Sequence, residues 1–170
     1  MERILFLGLG YIGLPTAALA ASRDLEVVGV DVDPAIVGKV NRGEIHIVEP
    51  GLAEAVREAV SAGRLRASLE PVPGDVYVVV VPTPFKGNHE PDVSYVEAAT
   101  RSVVPLLKED DLFVIESTSP VGTTDRMARL IFAERPELEG KLSVAYCPER
   151  VLPGNVLYEL VHNDRVIGGI

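Results

Sequence analysis

The sequence predicts an α/β fold, a doubly wound and mainly parallel sheet with helices on both faces, and three observations carry that prediction. Short apolar runs alternate with helical patterns along all 170 residues, the order that builds parallel strands joined by right-handed crossovers. The runs consist of Val, Ile, Leu and Ala, with few aromatics and no Trp, as suits strands buried on both faces. A glycine-rich tract, Gly8-Leu9-Gly10-Tyr11-Ile12-Gly13, stands where the first strand gives way to the first helix.

Residues 4–7 read as the first strand, and an alanine-rich helix follows to about Ser22. No charge occurs from Ile4 to Ser22, as in a membrane span, and Ala18-Leu19-Ala20 imitates a signal-peptidase site. Gly8, Gly10, Gly13 and Pro15 break that run, and Glu2-Arg3 is no basic cluster, so strand, turn and helix is the better division. Pro15 removes an amide donor early in the helix and is expected to loosen its first turn. Residues 26–32 form the next strand, with Val27, Val28 and Val30 β-branched. Pro34 starts a short helix towards Val40. After a polar loop (41–49), Pro50 takes the place of a first helical residue. Leu52, Val56 and Val60 then repeat every four residues, and Gly63 closes the helix.

Residues 65–67 are a brief strand and 76–81 a continuous apolar one. The loop 82–92 carries Pro82, Pro84, Gly87 and Pro91. Ser94-Tyr95-Val96-Glu97 has the form of a capping box and opens a helix to about Leu107. A strand (112–115), a helix (122–133) and a strand (142–146) follow, then a helical turn near 156–160 and a last strand at 166–167. There is no repeat, low-complexity tract or linker, so residues 1–170 make one domain. Ligands of such sheets sit at the carboxyl ends of the strands. The loops starting at Gly8, Asp31, Pro82, Glu116 and Cys147 all fall at that edge.

A net charge of −9 argues against nucleic acid and anionic membrane surfaces as partners. It leaves phosphate ligands open, because backbone amides at a helix N-terminus can hold them. Cys147 is the single cysteine, so neither an intrachain disulfide nor a cysteine metal cluster is expected, and a cytoplasmic location is the default.

The glycine tract is a G-x-G-x-x-G fingerprint in the context that gives it meaning, between strand and helix. Gly8 permits the tight turn, Gly10 lets the backbone approach a pyrophosphate, and Gly13 lets helix and strand pack closely; Tyr11 and Ile12 lie within the same loop. Asp31 follows Gly13 by 18 residues, near the spacing for an acid that binds the adenosine ribose. A carboxylate there repels a 2′-phosphate, so the cofactor is expected to be NAD and the fold Rossmann-like. Alternatively, Asp31 or Asp33 caps the next turn, and Asp33 before Pro34 suits that role.

Gly8 to Pro15, Val81-Pro82-Thr83-Pro84-Phe85, Glu116-Ser117-Thr118-Ser119-Pro120-Val121-Gly122-Thr123 and Tyr146-Cys147-Pro148-Glu149-Arg150 together resemble the UDP-glucose/GDP-mannose dehydrogenase family, over the whole chain. Within it, Asn41 to Pro50, Phe85 to Asp92 and Asn163 to Gly169 are similar to the branch that oxidises UDP-N-acetylmannosamine. The resemblance implies a cofactor domain followed by a dimer-forming central helix and a UDP-binding domain. It implies oxidation of a sugar primary alcohol to a carboxylate with two NAD and one water, through a thiohemiacetal and a thioester on a cysteine of the later domain. On that pattern Ile170 precedes the Lys, Asn and Cys of the chemistry. This chain is then expected to bind NAD yet to be inactive alone, the full-length protein being a homodimer.

By the same resemblance Thr118 helps hold the hydrolytic water and also meets the cofactor, and Glu149 orients or deprotonates that water. The plainer readings are a helix cap for Thr118 and an ion-pair partner of Arg150 for Glu149. Pro82 and Thr83 are expected against the cofactor ribose or phosphates, or else form a turn. Ile36 stands where family members often carry a basic residue, and Pro153 where they carry a second glutamate, which weakens the case for UDP-glucose. His46, His89 and His162 read as solvated, although His46 and His89 with Lys86 and Arg42 could line a substrate mouth. Cys147 reads as a small buried hydrophobe. The rival readings are a UDP-glucose or other UDP-hexose dehydrogenase and a non-catalytic NAD-binding module, and the Thr118 and Glu149 motifs speak against the latter.

Overall fold

The computed structural model describes residues 2–170. Strand β1 (Arg3–Leu7) leads through helix α1 (Gly13–Ala21) to β2 (Glu26–Val30), and helices α2 (Pro34–Asn41) and α3 (Leu52–Ser61) lead to β3 (Leu65–Ser68). The second half runs through β4 (Val76–Val79), β5 (Phe85–Lys86), β6 (Glu90–Pro91), α4 (Ser94–Val103), β7 (Leu112–Ile115) and α5 (Thr123–Glu134). It ends with β8 (Ser143–Tyr146), α6 (Val156–His162) and β9 (Gly168–Gly169).

The main sheet has the order β3-β2-β1-β4-β7-β8-β9, parallel except for β9, which pairs antiparallel with β8 through Ala145↔Gly169 and Tyr146↔Gly168. The winding reverses between β1 and β4, which opens a crevice at their carboxyl ends. Alternation along β1 assigns the two cores: Leu5 and Leu7 face the core with Tyr77, Phe113 and Met127, while Phe6 faces the other with Leu14, Val27 and Val56. Both faces are covered by helices, and exposed polar residues fall only on outer strands, at Arg66 in β3 and Ser143 in β8.

Several boundaries differ from the sequence reading, each for a local reason. Strand β2 stops at Val30 because the Asp31 carboxylate turns to accept the Asp33 amide. Strand β4 stops at Val79, and beyond it the Val81 amide donates to the Ser117 hydroxyl instead of to a strand. Pro50 lies outside α3; Gly51, at φ +76°, precedes that helix. The capping box does not form, since Ser94 is already helical and Asp92 Oδ1 accepts its amide at 2.9 Å. The Ser94 hydroxyl, Lys86 and the Ser94 amide together hold the Asp92 carboxyl down at about 2. After Val103 the helix tightens into a 3₁₀ turn, Val104–Leu106. The loop 82–92 contains the β5–β6 hairpin, whose tip residues Asn88 and His89 have positive φ. The last strand lies two residues later than expected.

Pro15 does not loosen α1. It occupies the third helical position, where an N–H has little to bond, and Leu14 and Thr16 on either side keep their bonds to Gly10 and Ile12.

Glu49 is the tie from the polar loop to the far end of the chain. It is buried, and its carboxylate accepts the Val156 amide at 2.7 Å and the Gly154 amide at 2.9 Å. Glu49→Ala leaves two amides without an acceptor. It is expected to lower stability by about 1.5–3 kcal/mol, read in urea unfolding as a lower midpoint at unchanged slope.

Candidate functional site

The glycine loop is fixed by three close approaches. Gly8 has φ +104°, and a Cβ there would lie 2.4 Å from the Val80 carbonyl oxygen. A Cβ on Gly13 would lie 2.0 Å from the Gly8 oxygen, whereas one on Gly10 would meet nothing within 4 Å. Gly10 therefore faces open space beside the start of α1, room that a pyrophosphate can fill. Between them Leu9 is fully buried against Gly29, where a Cβ would come within 2.4 Å of Leu9 Cδ2.

Asp31 completes the turn. Its Oδ2 accepts the Leu9 amide at 2.9 Å and its Oδ1 the Asp33 amide at 3.0 Å. Each carboxylate oxygen retains a second lone pair, so ribose hydroxyls can still donate to it. Asp33 caps α2 through the Ala35 amide at 2.8 Å. Ile12 precedes α1, and Tyr11 is exposed, its hydroxyl donating to the Val48 carbonyl at 3.0 Å. The open face over Gly10, the unbonded amides of Tyr11, Ile12 and Gly13 at the start of α1 and the remaining acceptor capacity of Asp31 fit a dinucleotide.

The loop after β4, whose Val80 lies against Gly8, meets the loop after β7, and Arg165 ties that loop to the one after β8. The Thr83 hydroxyl donates to the Thr118 carbonyl at 2.7 Å, and the buried Ser117 hydroxyl accepts from the Val81 amide at 2.9 Å and lies 2.8 Å from its carbonyl. Pro82 is exposed between them. Thr118 is exposed, with no protein partner for its hydroxyl among the described residues. It does not cap α5, whose start is set by Gly122 at φ +87° and by Thr123 bonding Pro120. Glu149 is half-buried, and its Oε2 accepts the Val151 amide at 2.7 Å. It makes no ion pair with Arg150, which instead reaches the Asp164 carbonyl.

Glu116 and Arg165 were not singled out by sequence. Glu116 is 4 % exposed, and its Oε1 lies 2.8 Å from the Arg165 guanidinium, while its Oε2 is buried with no partner. Burial pushes the Glu116 carboxyl up; Arg165 opposes that and the nearby Glu149 adds to it. Ser117 and Glu49 were missed as well, because only the fold shows that their oxygens face backbone amides.

His89 and His162 are exposed, as expected, the first edge-on to Phe85 and the second stacked on Tyr158. His46 is not a solvated side chain: it is half-buried, with Nδ1 enclosed and unpartnered. Lys86 and Arg42 are paired with Asp92 and Glu44. Cys147 is half-buried with Arg165 3.8 Å from its sulfur, so its surroundings are not the apolar ones expected. Among the described residues no cluster suits a metal ion, and no helix is long and apolar enough to cross a membrane.

The model of the UDP-glucose/GDP-mannose dehydrogenase family, NAD binding domain, matches residues 2–170. The chain belongs to this family. Over 96% of its length it is 56% identical to the UDP-N-acetyl-D-mannosamine dehydrogenase of Escherichia coli, covering 41% of that protein. An NDP-N-acetyl-D-galactosaminuronic acid dehydrogenase of Ralstonia nicotianae is likewise 56% identical over 96% of the chain, which covers 40% of it. Among solved structures, the UDP-N-acetyl-mannosamine dehydrogenase of Staphylococcus aureus superposes with a TM-score of 0.94 at 39% identity, over 99% of this chain and 42% of that one. The chain spans about two fifths of the length of the curated relatives it matches. The family's cofactor in this domain is NAD.

Asp31→Asn places an amide nitrogen against one of two backbone N–H donors and removes the charge facing the ribose. NAD affinity is expected to fall roughly 10- to 150-fold, with wild type binding NADP more weakly than NAD. Titration calorimetry checks both; equal binding of the two nucleotides would remove Asp31 from the role.

Proposed function

We propose that this chain is the NAD domain of an enzyme that oxidises UDP-N-acetylmannosamine to UDP-N-acetylmannosaminuronate, with two NAD and one water. The observation that carries the reading is that Arg165 joins the base of the Thr118 loop, at Glu116, to the Glu149 loop, at Pro148, in a chain at least half identical to UDP-N-acetyl-D-mannosamine dehydrogenases. Gly8, Gly10, Tyr11, Ile12, Gly13 and Asp31 hold the adenosine and phosphate half of NAD, and Pro82, Thr83 and Thr118 flank the other half. The bound nicotinamide supplies the hydride acceptor.

Thr118 presents a free hydroxyl that can donate to and accept from one water. Glu149 is fixed by the Val151 amide through one oxygen, and the other oxygen is available to orient that water or take its proton. A sensor of NAD needs neither group. The parts that hold UDP and supply the thiol nucleophile belong, on this reading, to the remainder of a longer homodimeric protein in the cytoplasm. The similarity to an N-acetylgalactosaminuronic acid dehydrogenase supports the galacto stereoisomer as the second reading. Turnover of the two UDP-N-acetylhexosamines and of UDP-glucose by the full-length protein decides among them.

In that full-length enzyme Thr118→Ala is expected to slow hydrolysis about 10- to 150-fold, the effect of one hydrogen bond to a charged or developing charge. The first oxidation should be spared. Stopped-flow NADH production then shows a fast phase followed by a slow steady state. Wild-type turnover, or loss confined to the first oxidation, counts against the assignment.

A further inference from the structure

A single side chain ties together the two loops that carry Thr118 and Glu149. Arg165, between α6 and β9, donates through Nη1 to Glu116 Oε1 at 2.8 Å and to the carbonyls of Cys147 and Pro148, each at 3.4 Å. Glu116 stands two residues before Thr118, and Pro148 directly precedes Glu149. From the same segment, Asn163 donates to the Arg150 carbonyl at 2.7 Å. Asn163 and Arg165 therefore grip the backbone on both sides of Glu149, and Arg165 reaches across to the base of the Thr118 loop.

We propose that Arg165, paired with Glu116, is a positioning residue that fixes the Thr118 hydroxyl relative to the Glu149 carboxylate and neutralises the Glu116 charge behind them. This rests on the reading of Thr118 and Glu149 as the groups that hold and activate water. Burying such a pair is costly, and breaking one side of it leaves an uncompensated charge. The ionisable groups facing Glu116 are Arg165 and Glu149, and those facing Arg165 are Glu116 and Cys147. Without the guanidinium nothing offsets the burial that pushes the Glu116 carboxyl up, and the tie between the two loops goes with it. All four contacts of Arg165 come from one nitrogen, so a lysine ammonium can replace part of them.

The test measures kcat in the full-length enzyme with NAD and UDP-N-acetylmannosamine, together with KM for both and thermal unfolding. Arg165→Gln is expected to lower kcat on the order of 100-fold, the cost of a misplaced reacting group. KM values should change much less. Arg165→Lys, which keeps the charge and one donor group, should keep most of the rate; it carries the test if the glutamine variant does not fold. The proposal is overturned if KM rises as much as kcat falls in Arg165→Gln, if kcat falls only in proportion to folded protein, or if the lysine variant loses as much rate as the glutamine one. Should the wild type ignore UDP-N-acetylmannosamine but oxidise another UDP-hexose, the substrate reading fails, and the same measurements taken with that sugar still judge Arg165.

Discussion

The closeness of Gly13 to the Gly8 carbonyl sets the geometry on which the rest of the site depends. A Cβ on Gly13 would lie 2.0 Å from that oxygen, so no other residue lets α1 begin so near the end of β1. That approach swings Leu9 inward onto Gly29, and the buried Leu9 in turn brings its amide to Asp31. Gly29 is thus as necessary as the fingerprint glycines, although it lies in a different strand. A strand glycine often marks close approach by another part of the chain; here the visitor is the side chain that anchors the phosphate loop.

The electrostatics follow from this backbone-first design. A chain with net charge −9 can receive a pyrophosphate because oriented amides at a helix start provide the positive potential. Cations are instead spent on internal ties, as with Lys86 to Asp92, Arg42 to Glu44 and Arg165 to Glu116. Two carboxyl groups, Glu116 and Glu149, stand near each other at the carboxyl edge of β7 and β8, and one guanidinium offsets them. Asp31 serves both ends of the design, since its oxygens organise the turn through N–H donors and still offer lone pairs outward.

The doubly wound sheet could be read from sequence because its signals are local: continuous apolar strands, a glycine turn, and crossovers of helical length. So could Asp33, which caps the helix next to it. What escaped was set by distant partners. Ser117 bonds across 36 residues to Val81, and Glu49 bonds across 107 residues to Val156; no periodicity announces such acceptors. The capping-box pattern at Ser94 misled because Asp92, placed by the Lys86 contact and the hairpin, reached the helix amide first. The hairpin itself hid among prolines, which ordinarily argue against strands, and it pairs over only two residues on each side.

The same fold gives a physical account of the segments whose sequences look most distinctive. In the stretch from Asn41 to Pro50, Asn41 bonds both backbone groups of Ala67, Arg42 pairs with Glu44, Val48 receives the Tyr11 hydroxyl, and Glu49 holds the start of α6. In the stretch from Asn163 to Gly169, Asn163 and Arg165 grip the Glu149 loop, and the glycines pair with β8. Both stretches are clamps, one reaching the glycine loop and the other the Glu149 loop, and they meet α6 at its two ends. Asn41, Glu49, Asn163 and Arg165 are spent on other parts of this domain. Likeness at those positions therefore reflects how the two site loops are braced, and under the proposed function turnover of the candidate sugars, rather than further likeness there, separates the substrates.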